Sequence, residues 1–257
     1  MSGFARHWGA GAPALLLHCS LAHSGAWEGM ARALSGGRLR MTAPDLVGHG
    51  RGPARDPARD YHDQATDAAL AHLPDEPCHL IGHSFGGTVA LRLALEHPAR
   101  AASLTLIEPV LFAAASGKPG WQAHEVAMAG LGPLFAAGDA EGAARLFLSV
   151  WGGGVPLDAM TEAQRRYMIE RIWVVRDSAP ALDADRANLL PRLGQIRCPV
   201  LLIEGAASPP VIAETQAALG AAIPGHRRAV IAGAGHMLPI THPAQVAAVI
   251  AEFLDAV

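Results

Sequence analysis

The chain has 257 residues, of which 51% are apolar and 17% charged, enough to bury a core without disulfides or metals and too apolar to be disordered. Its net charge of −3 comes from acids and arginines scattered among one another, which excludes a basic face for nucleic acid or an anionic membrane surface. A small, weakly charged molecule is the expected partner.

In chain order, residues 3–9 are weakly strand-like, and Gly9-Ala10-Gly11 turns the chain into the apolar run Ala14-Leu15-Leu16-Leu17-His18, which reads as a buried parallel strand. A helical pattern capped by Ser24 carries Trp27, Met30, Ala31 and Leu34 and ends at Gly36-Gly37. A strand over 39–46 runs into Gly48-His49-Gly50-Arg51-Gly52. No helix begins directly after those glycines, so they make a surface loop and not a phosphate cradle. A helix over 61–73 precedes a strand through Cys78, Leu80 and Ile81, and a further strand spans 102–109. From 110 to 197 only helical runs occur, around 123–137, 140–151, 162–175 and 182–193, separated by Gly152-Gly153-Gly154, Pro156 and Pro180. Strands return at 198–205 and 226–231, with a helix to residue 221 between them. A last helix over 243–257 turns Val246, Val249, Ile250, Phe253 and Leu254 inward. Alternating strands and helices predict a mostly parallel, doubly wound α/β sheet with right-handed crossovers. Residues 1–109 and 198–257 form its core, and 110–197 form an inserted helical cap.

The chemistry centres on Leu80-Ile81-Gly82-His83-Ser84-Phe85-Gly86-Gly87, a strand, a sharp turn and a helix that continues to Pro98. A G-x-S-x-G match in that setting presents a strained, exposed serine hydroxyl with the free N–H groups of the next helix behind it. A serine hydroxyl needs a base within hydrogen-bond reach and a third group to orient that base. His236, in Gly233-Ala234-Gly235-His236-Met237 after the last strand, is the leading base. His242, in Thr241-His242-Pro243, reads as the start of the final helix.

Taken together, Leu17-His18-Cys19-Ser20 with Trp27, Pro44-Asp45-Leu46-Val47-Gly48-His49-Gly50, Gly82 to Gly86 and Gly235-His236 resemble the α/β-hydrolase family over nearly the whole chain. The resemblance implies an eight-stranded type of sheet, here lacking the first strand, with the cap over Ser84. It implies an oxyanion hole from the backbone N–H groups of Phe85 and Ser20, with His18, Cys19, His83 and Met237 near the pocket. Two positions depart from the family pattern. Cys19 stands where the family has glycine and is read as a small buried thiol. The loop after the strand ending at Gly205 carries Ala206-Ala207-Ser208-Pro209-Pro210 in place of the family's aspartate. Some members, certain haloalkane dehalogenases among them, place a glutamate at the end of the strand following the nucleophile. Glu108 occupies that position, and a carboxylate at the end of an apolar strand needs a donor such as the imidazole of His236. Glu204 is the fallback acid, ahead of Asp177 and Asp183.

Asp45 reads as a loop anchor, and His18, His23 and His49 match no metal spacing. Trp121, Trp151 and Trp173 are expected in the core of the cap, and Arg165-Arg166 on a solvated face. Cys19, Cys78 and Cys198 lie in or beside apolar runs, as free buried thiols of a reducing compartment do. No apolar stretch reaches about 18 residues and no signal-peptide pattern is present, so a cytoplasmic protein without membrane contact, monomeric or homodimeric, is expected. The sum is a cofactor-independent and metal-independent serine hydrolase acting on a small ester, thioester or lactone through an acyl-enzyme. Carbon–carbon hydrolysis of a diketone-type substrate, and a non-catalytic ligand receptor, are the alternatives.

Overall fold

The computed structural model describes residues 3–34 and 37–257. Among these residues seven strands, β1 (Ala5–Trp8), β2 (Ala12–Leu17), β3 (Leu39–Pro44), β4 (Cys78–His83), β5 (Ala101–Ile107), β6 (Val200–Gly205) and β7 (Arg227–Ile231), form one sheet in the order β1-β3-β2-β4-β5-β6-β7. Of the seven, β1 runs antiparallel, against β3, and the rest are parallel. The run Ala14 to Leu17 is apolar throughout because both faces of the sheet are covered: Leu15 and Leu17 enter one core cluster, Ala14 and Leu16 the other.

On the second face lie the helices α1 (Glu28–Ala33) and, at the C-terminus, α11 (Pro243–Leu254), preceded by the single turn α10 (Leu238–Thr241); they bury Met30, Val246, Ile250 and Phe253. The first face is covered by α2 (Tyr61–Leu70), α3 (Phe85–Glu96) and α9 (Pro210–Ala222). The chain leaves β2 toward β3 on one side and returns to β4 on the other. The carboxyl ends of β2 and β4 therefore flank the point where the strand order reverses, the usual crevice of such sheets.

Between β5 and β6 the chain is helical: α4 (Pro119–Met128), α5 (Leu131–Ala136), α6 (Ala140–Trp151), α7 (Glu162–Arg171) and α8 (Trp173–Asp183). The Glu214 carboxylate of α9 accepts the Gly120 and Trp121 N–H groups at 2.8 and 3.0 Å, fastening the start of α4 to the core. Two sequence expectations fail here. Pro180 lies inside α8, where the burial of Val174, Ser178, Ala181 and Leu182 outweighs the roughly 3 kcal/mol cost of an interior proline. The helix expected over 182–193 is broken by Asp185 and Asn188 in left-handed backbone, and only a 3-10 segment, Leu190–Gln195, forms. At the N-terminal side α1 ends at Ala33, short of the expected stop at Gly36-Gly37, of which Gly36 lies outside the described residues. Cys19 and Cys78 are buried free thiols, whereas Cys198 is only half-buried. Among the described residues no helix is long and apolar enough to cross a membrane.

Candidate active site

Ser84 sits between β4 and α3 with φ 55° and ψ −121°, a left-handed backbone that a non-glycine residue adopts only under strain. The glycines around it leave no alternative. A Cβ on Gly82 would stand 2.3 Å from the Gly86 carbonyl oxygen, and one on Gly86 would stand 2.2 Å from that of Leu17. The Ser84 N–H donates to the Ile107 carbonyl at 2.9 Å, which pins the corner to β5. The Phe85 N–H opens α3 and has no carbonyl within the helix to bond.

His236 lies in the loop after β7, its imidazole 6% exposed. Its Nε2 faces the Ser84 hydroxyl at 3.0 Å and its Nδ1 faces Glu108 Oε2 at 2.7 Å. These partners set the neutral tautomer, with Nδ1–H donating to the carboxylate and the serine O–H donating to Nε2. Glu108 follows β5 directly with φ 45° and is fully buried. Its other oxygen accepts the Gly205 N–H at 2.6 Å and the Ser208 hydroxyl at 2.5 Å. Three donors thus compensate the burial of a carboxylate that pairs with no arginine or lysine among the described residues.

Of the other acids, Asp183 lines the cavity that holds Ser84 without reaching His236, and Glu204 and Asp177 are engaged elsewhere. Glu204 accepts from Arg228 at 2.5 Å, and Asp177 is paired with Arg55 and Arg176. Asp45 is the expected loop anchor, accepting the Ser24 and Arg51 N–H groups at 2.7 and 2.8 Å. Burial pushes its carboxyl up, but these hydrogen bonds outweigh it and hold the group below the usual aspartate value.

Of the residues expected near the pocket, His18, Cys19 and His83 line neither cavity at the site; they brace it from behind. The His83 Nε2–H donates to the His236 carbonyl at 2.8 Å, and burial, with the neighbouring His236, drives the His83 imidazole well below its ordinary range. His18 donates from Nδ1 to the Cys19 carbonyl at 2.8 Å and accepts the Leu46 N–H at Nε2 at 3.0 Å; burial lowers it to about 4. His49 repeats the arrangement between the Leu21 N–H and the Val47 carbonyl. Burial pushes the Cys19 thiol up to about 12, which suits an inert filler.

Two cavities lie at the site and share Ser20, Phe147 and Trp151. The smaller, about 310 Å³, contains Ser84, His236 and Ser20 and is walled by Phe112, Met128, Phe135 and Trp151 among others. The larger, about 680 Å³, contains Ser20 and Met237 and runs along α7. Two residues had no place in the site from sequence. Trp151, expected in a helical core, packs edge-on against the His236 ring with centroids 4.6 Å apart and lines both cavities. Ser208 sits in the loop after β6; its only sequence signal was a hydroxyl where the family pattern has an acid. Trp121 packs against Phe112 and His124 as expected, while Trp173 packs against Tyr61 of the core.

The profile of the alpha/beta hydrolase family matches residues 14–249. A lipase of Mycobacterium tuberculosis, LipV, is 31% identical over 95% of this chain and 95% of its own length. A pimeloyl-[acyl-carrier protein] methyl ester esterase of Aeromonas hydrophila is 30% identical over 99% of this chain and all of its own. Among solved structures, the enol-lactonase of Burkholderia xenovorans LB400 superposes with a TM-score of 0.77 at 22% identity, covering 98% of this chain and 96% of that one. Matched from its second strand to its last helix, this chain belongs to the alpha/beta hydrolase family and is a hydrolase.

Proposed function

We propose that the protein is a serine esterase in which Ser84 is the nucleophile, His236 the general base and Glu108 the acid that orients it. The observation that carries this reading is the unbroken hydrogen-bonded chain from Ser84 through His236 to Glu108, which opens into a cavity. Ser84 attacks the carbonyl carbon while Nε2 of His236 takes its proton. Glu108 holds the ring and balances the imidazolium charge. The Phe85 and Ser20 N–H groups receive the oxyanion, a contribution typically worth about 3 kcal/mol per donor. His236 then protonates the leaving group, and water, activated by the same ring, releases the acyl group. The reaction class covers carboxylic esters, thioesters and lactones, and residues 110–197 act as a cap whose apolar inner side keeps water from the acyl-enzyme.

The test is labelling by a fluorophosphonate. The intact protein is expected to form a covalent adduct and Ser84→Ala none. A folded protein that resists the probe points to a ligand receptor on the same fold. Labelling without turnover of any ester, but with cleavage of a diketone, points to carbon–carbon hydrolysis.

A further inference from the structure

The two cavities share Ser20, Phe147 and Trp151, but only the smaller holds Ser84 and His236. A substrate carbon bonded to Ser84 has two substituents to house, and the aromatic wall of Phe147 and Trp151 divides the space they enter. The His236 ring opens into the smaller cavity, and the larger cleft borders the loop that carries that ring, through Met237, the next residue, and Ile240. The leaving group must stay within reach of His236 to receive its proton, and the part of it that extends past this loop enters the larger cleft.

The chemistry of the larger cleft is uniform. Its nineteen described lining residues include no Asp, Glu, Lys or Arg. Their polar groups are mostly spent on the protein. Tyr167 O–H donates to the Ala22 carbonyl and accepts the Gly50 N–H, Gln164 caps its own helix through Thr161, and His23 Nδ1 accepts the Gly25 N–H. What faces the cleft is apolar, and two of the large apolar side chains exposed on this molecule, Val155 and Ile240 at 47% each, stand on it. The smaller cavity differs: Arg176 and Asp183 are among its lining.

Building on the serine-esterase reading, we infer that the larger cleft binds the leaving-group half of the substrate. That half is an uncharged, apolar alcohol, and the acyl half is confined to the smaller cavity. At about 30 Å³ per water-sized atom, the volumes of 310 and 680 Å³ hold about ten and about twenty non-hydrogen atoms. A methyl ester leaves the larger cleft filled with water, forgoing about fourfold in binding for each methylene it lacks. A phosphate-bearing thiol carrier would lose its hydration there and meet no cation.

Two ester series on the purified enzyme test this: acetates of linear alcohols from ethanol to decanol, and methyl esters of linear acids over the same range. We expect kcat/KM to rise at least about tenfold along the alcohol series, and to pass a maximum and fall in the acid series. Ala163→Phe, on α7 in the larger cleft, reduces the decyl-to-ethyl acetate ratio at least tenfold. Ala179→Phe, on α8 in the smaller cavity, acts on the acid series instead. A flat alcohol series, an Ala163→Phe effect confined to the acid series, or faster turnover of acetyl-coenzyme A than of octyl thioacetate overturns the assignment. Calorimetric titration of Ser84→Ala with decanol separates cleft from chemistry. Decanol binding that Ala163→Phe abolishes sustains the cleft even if ester turnover fails, and no binding rejects the cleft even if turnover succeeds.

Discussion

The Ser208 hydroxyl donates to Glu108 Oε1 at 2.5 Å, from a loop one hundred residues along the chain, while the opposite oxygen of the same carboxylate faces His236. Ser208 touches no cavity described above, so in the proposed mechanism it is a positioning residue. A hydrogen bond to a charged group contributes about 1.5–3 kcal/mol. Ser208→Ala is therefore expected to lower kcat about tenfold with KM little changed, and Ser208→Thr, which keeps the hydroxyl, to restore most of it. A loss that appears only in KM, or that threonine fails to mend, removes Ser208 from the site.

The two glutamates at the strand ends separate cleanly. Glu204 is held by Arg228 on β7 and Glu108 by His236. Glu108→Gln is expected to cost about 10³–10⁴ in kcat on a short activated ester, as with other carboxylates that fix a histidine tautomer. Glu204→Gln is expected to change turnover less than threefold. Single-turnover acylation rates of both variants decide, and the reverse pattern would move the acid to Glu204.

Acid should unfold this protein early. His18 and His62 are lowered by burial to about 4, and His49 and His83 lie well below the ordinary histidine value. A histidine whose folded pKa is depressed binds its proton more readily in the unfolded chain. Stability is complete above the unfolded value of about 6.5 and is lost as pH falls through the folded one, by up to about 3 kcal/mol for a residue lowered to about 4. His18 and His49 each accept a backbone N–H at Nε2, so protonation there sets two donors face to face. The urea midpoint is expected to fall steeply between pH 6.5 and 4. A midpoint that stays level over that window contradicts the neutral histidines.

Glycine replacements distinguish the strained corner from ordinary helix. Gly86→Ala sets a methyl against the Leu17 and His18 carbonyl oxygens, neither of which can step aside, and is expected to destabilise by about 1–3 kcal/mol. Gly132→Ala in α5 meets nothing within 4 Å and should stabilise by about 0.5–1 kcal/mol. Equilibrium unfolding in urea measures both, and equal effects would remove the steric account of the corner.

The sheet was legible because strands buried on both faces are apolar without interruption, as at Leu15 to Leu17 and again at Leu201 to Ile203. The corner at Ser84 was legible because its two glycines bracket the serine within five residues. Ser208 was not. Its partnership with Glu108 depends on β5 and β6 lying side by side in one register, which no local pattern encodes. Trp151 packs against Phe112 and His124 as expected, but its contact with His236 was hidden for a related reason: an aromatic at a helix end reads alike whether it faces its own bundle alone or also the ring of a distant histidine. Pro180 shows the opposite error, a local rule overruled by packing.

Glu108 is also the residue at which the chain quits the sheet. Val110 and Phe112, two and four positions further on, already line the smaller cavity. The wall of the pocket and the carboxylate that faces His236 meet at one residue in left-handed backbone. Four positions of chain therefore separate a side chain in the cavity wall, Phe112, from the carboxylate that faces His236.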